Sequence, residues 1–272
     1  MSAPFEIGNF VLEPSKFIIC FNISLKAEAL YKPGVLATIF NILSEYNIPM
    51  LAVKTSISKN KDDIRATVFA DFTMHKKLLK EVAKNIKNLS YVENVKVIEP
   101  LFNGLAMDTS YTHLTLAGSR AVILRKPIYE GFIKGFRERF GQVASSFLYH
   151  IGFEAGRKAY ENHRRIISEA HKGAEKVLPF AKELFKQVGF GTIDIVEIDF
   201  LNRTALIRVH NSFECELFKG TGMTESHFIR GLIAGFMSSL FGVKVDVEET
   251  KCIAKGDPYC EFIVKQKLWQ MK

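Results

Sequence analysis

The hydrophobic period switches repeatedly within the first hundred residues, and the order of those switches restricts the fold more than any other feature of the chain. Phe17 to Leu25 reads FIICFNISL, a β-branched and aromatic run that predicts a strand. Pro33 suits a first helical turn, and Val35, Leu36, Ile39, Phe40, Ile42 and Leu43 give a helical apolar face ending near Asn47 and Pro49. Strands are expected over Leu51–Ser58 and Ile64–Thr73, joined through the polar SKNKDD insert. Leu78, Leu79, Val82, Ile86 and Leu89 supply a second amphipathic helix, and Val92 to Ile98 a last strand. The resulting order βαββαβ is the ferredoxin-like arrangement, with two helices on one face of an antiparallel sheet.

The run KPGVLATIFNILSEYNIPMLAVKTS, Lys32 to Ser56, resembles the first half of an ACT domain, where a Pro-Gly opens the helix and an Asn-Ile follows it. That resemblance implies an effector site for an amino acid, bordered by Gly34, Val35, Leu36 and Asn47, or a module used for dimerisation. Tyr31 stands two places before Pro33, where the family often carries an acidic or amide residue. Domains of this kind often pair, so a homodimer is expected.

With 272 residues the chain exceeds what one hydrophobic core usually organises, so two domains are expected. The first is assigned to 1–100, a linker rich in turn-forming residues to 101–110, and a second domain to 111–272. In the second, Ala121 to Leu124 reads as a strand and a helical pattern begins at Pro127. Longer helices are expected over Gln142–Tyr160 and Ser168–Gln187, the latter kinked or restarted at Pro179. After Gly189 the period turns to two: Val196, Ile198 and Phe200, then Ala205, Ile207 and Val209, flank a turn at Asn202-Arg203. A buried helix over Glu225–Phe241 and strands Val243–Glu248 and Cys260–Val264 follow. The fold class is therefore α+β: a ferredoxin-like βαββαβ domain of ACT type, then a mixed domain with helices packed on a largely antiparallel sheet. Gly131/Gly135, Gly152/Gly156 and Gly231/Gly235, each four apart in helical patterns, predict close approach of another backbone.

The run ETKCIAKGDPYCEFIV, Glu249 to Val264, resembles the carboxy-terminal signature of the 4-vinyl reductase-like domain family, and GLIAGFMSSLFGVKVDVEE and NSFECE extend the likeness over Tyr111 to Lys267. That family is similar in fold to TRAPP vesicle-tethering subunits, includes sensor domains of phenol-responsive activators, and occurs near bacteriochlorophyll biosynthesis. The resemblance implies an apolar or aromatic small-molecule ligand. Glu249 and Cys252 lie three apart, and Cys260 returns after the Gly256-Asp257-Pro258 turn, so two thiolates and a carboxylate could hold zinc if a fourth ligand converged. In the phenol sensors the matching Glu and two Cys bind zinc with a further Cys just before the helix. Here that position is Ser226, followed by His227, leaving Cys215 or His227 as the fourth ligand, against the alternative of buried inert thiols. Phe132, Phe147, Tyr149, His150, Phe213 and Phe228 are candidates to line the pocket or, as ordinary core, to fill it.

No nucleophile elbow, Walker loop or dinucleotide fingerprint is present, and no hydride-donor site is legible, so catalysis has little support. The formal charge of +8, with Arg157, Lys158, Arg164 and Arg165 closely spaced, suits either a solvated helix face or an acidic partner, nucleic acid or membrane. No recognition motif favours nucleic acid. The four cysteines do not make a disulfide framework, and the first residues lack a leader-peptide pattern, so a cytoplasmic location is expected. The function expected is a small-molecule sensor or regulatory protein. The alternatives are a TRAPP-like scaffold, a hydrophobic-ligand or lipid carrier, and an accessory protein of tetrapyrrole vinyl reduction.

Overall fold

The computed structural model describes residues 5–170 and 176–267. The chain divides into two compact units between Val122 and Ile123. The fold is α+β throughout, with antiparallel sheets and helices.

In the first unit, β1 (Phe10–Leu12) precedes β2 (Ile18–Leu25), helix α1 (Val35–Glu45), β3 (Met50–Ile57), β4 (Ile64–Asp71), α2 (Leu79–Lys87) and β5 (Val92–Ile98). The sheet order is β3-β4-β2-β5, antiparallel throughout, which is the expected ferredoxin-like topology. Central strands β2 and β4 are buried nearly along their whole length because both faces are covered. Ile19, Phe21 and Ile23 meet Ile39, Leu43, Val82 and Ile86 of the two helices. On the opposite face Ile18, Cys20 and Phe69 meet Ala106.

Ala106 belongs to β6 (Leu105–Met107), which pairs antiparallel with β1. The residue pattern shows neither of these strands and makes 101–110 a linker, because three residues are too few for a period to appear. Asp108, just after β6, is buried and accepts hydrogen bonds from Asn22 Nδ2 at 3.2 Å and Thr67 Oγ1 at 3.0 Å. A short hairpin, β7 (Leu114–Leu116) and β8 (Ser119–Ala121), ends the unit, so the strand expected at Ala121 to Leu124 lies mostly upstream of that range.

The second unit opens with α3 (Lys126–Glu130), a π-helical stretch over Gly131–Gly135 and α4 (Phe136–Phe140). Gly131 and Gly135 bound that stretch, and a Cβ at either would meet nothing within 4 Å, so this pair does not admit a neighbouring backbone as expected. The long helix α5 (Gln142–Ala170) runs ten residues beyond the expected end. Helix α6 (Val177–Gln187) carries Pro179 in its first turn, where proline is tolerated; the rest of the helix expected from Ser168, at 171–175, lies outside the described residues. Strands β9 (Thr192–Asp199) and β10 (Thr204–His210), helix α7 (His227–Phe241), and strands β11 (Val245–Lys251) and β12 (Cys260–Gln266) complete it. Their antiparallel order is β11-β12-β10-β9.

Helices α5 and α7 meet where the other two glycine pairs predicted close approach. A Cβ built on Gly152 would lie 2.1 Å from the Phe228 carbonyl oxygen, and one on Gly235 1.9 Å from that of Phe153. Gly156 faces Leu232 and Gly231 faces Tyr149 in the same way. The partners rise together along both helices, so α5 and α7 run in the same direction. Backbone-to-backbone contact of this kind replaces side-chain interdigitation and fixes the register of the two helices.

Candidate metal centre and apolar cavity

Three local devices gather the thiol cluster. Cys215 opens a 3-10 turn, Cys215–Phe218, just beyond β10. Glu249 lies in β11 and Cys252 follows that strand's end, three residues on. Residues three apart on a regular strand face opposite sides, but the β11–β12 register shifts between Glu249 and Lys251, and the extra residue restores a common side. Gly256, at φ 103°, then turns the chain back, and the Cys252 amide donates to Asp257 Oδ2 at 2.8 Å, so Cys260 begins β12 beside Cys252.

The donor atoms of Cys215, Glu249, Cys252 and Cys260 all lie within 4.8 Å of one another, forming a Cys3Glu cluster that could hold a metal ion. Cys252 Sγ is 3.5 Å from Cys215 Sγ and 3.9 Å from Cys260 Sγ. Those separations exceed a disulfide bond and bracket the edge of a tetrahedral thiolate site, about 3.8 Å for Zn–S bonds of about 2.3 Å. The three thiols are fully buried. Ser226 Oγ lies 2.8 Å from Cys215 Sγ and donates to Glu249 Oε1 at 2.6 Å, while the Ser226 amide donates to Glu249 Oε2. Ser226 thus tethers two members of the cluster.

Burial pushes the Glu249 carboxyl up to about 8 against the opposing pull of the Ser226 hydrogen bonds. Hydrogen bonding from the Cys215 and Cys252 thiols pulls Cys260 down to about 4, while Cys215 is raised by the same neighbours. A thiolate at one corner and protonated donors at the others make a set that metal binding would deprotonate further. His227 stands apart from it. Its Nε2 lies 3.6 Å from Glu225 Oε2, Glu225 also pairs with Arg137, and burial lowers the imidazole to about 4. Of the two fourth ligands the sequence left open, Cys215 converges and His227 does not, because α7 begins at His227 and turns its side chain toward Glu225.

Next to the cluster, Glu214 is fully buried and accepts the Phe228 and Ile229 amides at 2.8 and 2.9 Å, closing the amino terminus of α7. Burial raises its carboxyl to about 8.

A cavity of about 280 Å³ lies between α5, α6, α7 and the sheet. Its wall is formed by Ala155, Ala159, Phe185, Phe190, Ile207, Phe228, Leu232 and Phe236 among others, with His163 and Lys182 its only polar residues. Of the six pocket candidates, Phe228 alone lines it. Phe213 stacks on the lining ring of Phe190 at 4.8 Å, one layer behind. Tyr149 lies under Arg230, and His150 is exposed. Phe132 and Phe147 are also exposed, 61% and 55%, because they sit on the outer side of the α3–α5 segment. Helical spacing identified an apolar stripe there but could not show which side faced the protein. Ala155, Ala159 and His163, spaced by four, were the missed signal: small residues on one helix face leave room, and the histidine continues that face.

In the first unit, Gly34, Val35 and Leu36 stand at the start of α1 and Asn47 beyond its end. Eleven helical residues span about 16 Å, so Asn47 does not border the same site as the other three. Asn47 has φ 51°, and the following Ile48 amide returns to the Leu43 carbonyl, which makes it a helix-closing residue.

A family model for the vinyl-4-reductase domain matches residues 206–266, from β10 through β12. An uncharacterized protein of Methanocaldococcus jannaschii is 30% identical over 120 residues, 44% of this chain and 64% of that protein. A second uncharacterized protein of the same organism is 27% identical over 81 residues, 30% of this chain and 48% of that one. The chain therefore spans between about half and two-thirds of the curated relatives it matches. Among solved structures, the phenol-responsive sensory domain of the transcription activator PoxR with phenol aligns with 19% identity and a TM-score of 0.49, covering 55% of this chain and 78% of that one. A vinyl-4-reductase family protein from Methanocaldococcus jannaschii aligns with 23% identity and a TM-score of 0.39, covering 54% and 84%. Among the described residues, no helix is long and apolar enough to cross a membrane.

Proposed function

We propose that the second unit is a sensor or regulatory module that holds an apolar or aromatic small molecule in the α5–α6–α7 cavity, with a structural zinc ion in the Cys3Glu cluster. The observation that carries this reading is the cavity itself. Protein interiors are normally close-packed, and a space of about 280 Å³ walled by aliphatic and aromatic side chains costs stability unless something fills it. The vinyl-4-reductase domain match over residues 206–266 supports it, since that stretch supplies part of the cavity wall and all four donors of the cluster.

Cys215, Glu249, Cys252 and Cys260 would hold the ion, with Ser226 fixing the carboxylate and one thiol. When bound, zinc would supply a closed tetrahedral crosslink and no open position for chemistry. The crosslink would join the turn after β10 to the ends of β11 and β12. Helix α7 starts from the same place through Glu214 and Ser226, and it also carries Phe228, Leu232 and Phe236 into the cavity wall. A ligand that shifts α7 therefore has a rigid frame to shift it against, which is what a sensor requires.

Native mass spectrometry of the full chain purified without added ligand or chelator tests both parts. One zinc per chain and a retained apolar molecule are expected, and Cys252→Ser should abolish the zinc and lower stability by about 4 kcal/mol. Well under one zinc per chain, with melting indifferent to a strong chelator, would reduce the cluster to core thiols. Protein that neither retains nor is stabilised by any apolar compound would remove the sensor reading.

A further inference from the structure

The apolar cavity wall has one polar break that the protein itself does not complete. His163 on α5 lines the cavity and is only 9% exposed, and its Nδ1 has no hydrogen-bond partner among the described residues. Its ring packs edge-on against Phe180 at 5.2 Å and lies 6.0 Å from Phe236, neither of which offers a conventional acceptor or donor. Lys182, the other polar lining residue, is already engaged, its ammonium paired with Asp194 at 2.8 Å. A buried, unpaired imidazole nitrogen beside an unfilled space is a group awaiting a partner.

The shape of the space narrows that partner. Ala155, Ala159 and His163 follow one another at four-residue steps along α5, a distance of about 12 Å. Because α5 and α7 run in the same direction, Phe228 lies beside the Ala155 end and Phe236 beside the His163 end. The cavity is thus a slot with an aromatic end and an imidazole end.

Resting on the cavity reading above, we propose that the occupant is an elongated, uncharged apolar molecule terminating in a hydroxyl group, and that His163 Nδ1 forms the hydrogen bond to that hydroxyl. A hydroxyl both donates and accepts, so it completes whichever tautomer the imidazole adopts. A carboxylate is disfavoured, because it would bring a charge into an apolar wall without a free cation to meet it. Burial lowers the His163 pKa, which keeps the imidazole neutral and agrees with an uncharged partner.

The test measures binding of four probes, 1-octanol, n-octane, octanoate and phenol, to the full chain at neutral pH by displacement of a solvatochromic naphthalene dye. 1-Octanol should bind about tenfold more tightly than n-octane, and more tightly than octanoate or phenol. In His163→Leu the advantage of the alcohol over the alkane should vanish while alkane binding persists, and Ala159→Leu, which fills the slot, should weaken every probe. Equal binding of alcohol and alkane to the unaltered protein overturns the proposal without recourse to any variant. So does a preference for the alcohol that survives in His163→Leu. Tightest binding of phenol would replace the elongated ligand by a compact one, and tightest binding of octanoate would replace the hydroxyl by an acid; either overturns the proposal while leaving the cavity a binding site. Displacement by none of the four would overturn the cavity reading together with it.

Discussion

The two units place helices against four-stranded antiparallel sheets of similar size, yet they treat buried polar groups in opposite ways. In the first, polar side chains removed from water meet one another. Asp108 receives Asn22, Thr67 and Ser110, and Asp71 receives Lys16 and Thr73. In the second, His163 is left without a hydrogen-bond partner at a cavity wall, and three thiols with a carboxylate crowd into one donor set. Satisfied buried networks rigidify a fold, whereas unfilled space and unpaired donors lower stability unless a ligand completes them. The difference locates binding chemistry in the second unit and makes the first a scaffold by comparison.

Gly235→Ala should break the comparison most severely. Its new Cβ would fall 1.9 Å from the Phe153 carbonyl oxygen, and backbone cannot move aside as a flexible side chain does. A loss of about 3 kcal/mol is expected, confined to the second unit. Hydrogen exchange should show α5 and α7 losing protection while β2 and β4 keep theirs; a uniform loss would mean that the two units unfold together.

Asp108→Ala is the counterpart in the first unit. It would leave Asn22 Nδ2 and Thr67 Oγ1 buried with fewer partners and detach the end of β6 from the sheet, at a cost of about 2 kcal/mol. Denaturant melts followed by hydrogen exchange should place this loss in β2 and β4. If Asp108→Ala were neutral, the 101–110 segment would be a linker after all, despite its strand.

The smallest effect concerns pH. Burial lowers the His163 pKa below its ordinary 6.5, so its neutral form contributes stability that is complete above pH 6.5 and is lost as pH falls through the folded-state value. For Asp108, burial raises the pKa, but hydrogen bonds from Ser110, Thr67 and Asn22 outweigh it and hold the group below 3.8. Its contribution is complete above pH 3.8 and is lost as pH falls through its own folded value. Relative to the unaltered protein, His163→Leu should therefore gain stability on acidification from about pH 6.5 downward, and Asp108→Ala only below about pH 3.8. Paired melts at matched pH check the order, and simultaneous gains would mean that the two groups are not perturbed as their surroundings require.

Much of this was legible in the residues. Val92–Ile98 and the β9–β10 hairpin carry long periods of two, and α1, α2 and α7 carry helical faces, so local pattern and tertiary burial agree there. The glycine spacing in α5 and α7 predicted backbone contact because the absence of a side chain is itself a packing instruction. The same spacing misled at Gly131 and Gly135, where no second helix arrives. Strands β1 and β6 were invisible, since three residues hold too little pattern and the pair is joined only by chain folding.

The sequence by itself determined the order of elements, the ferredoxin-like topology of the first unit, and three of the four donors, because each depends on period or on residues close along the chain. Tertiary structure alone decided that Cys215 rather than His227 joins Glu249, Cys252 and Cys260, since the choice turns on where a 3-10 turn and a helix start meet in space. It also decided that the cavity faces Ala155, Ala159 and His163 rather than Phe132 and Phe147. A helical stripe marks an apolar face, but which neighbour covers that face, and how completely, is a property of long-range packing that no local pattern carries.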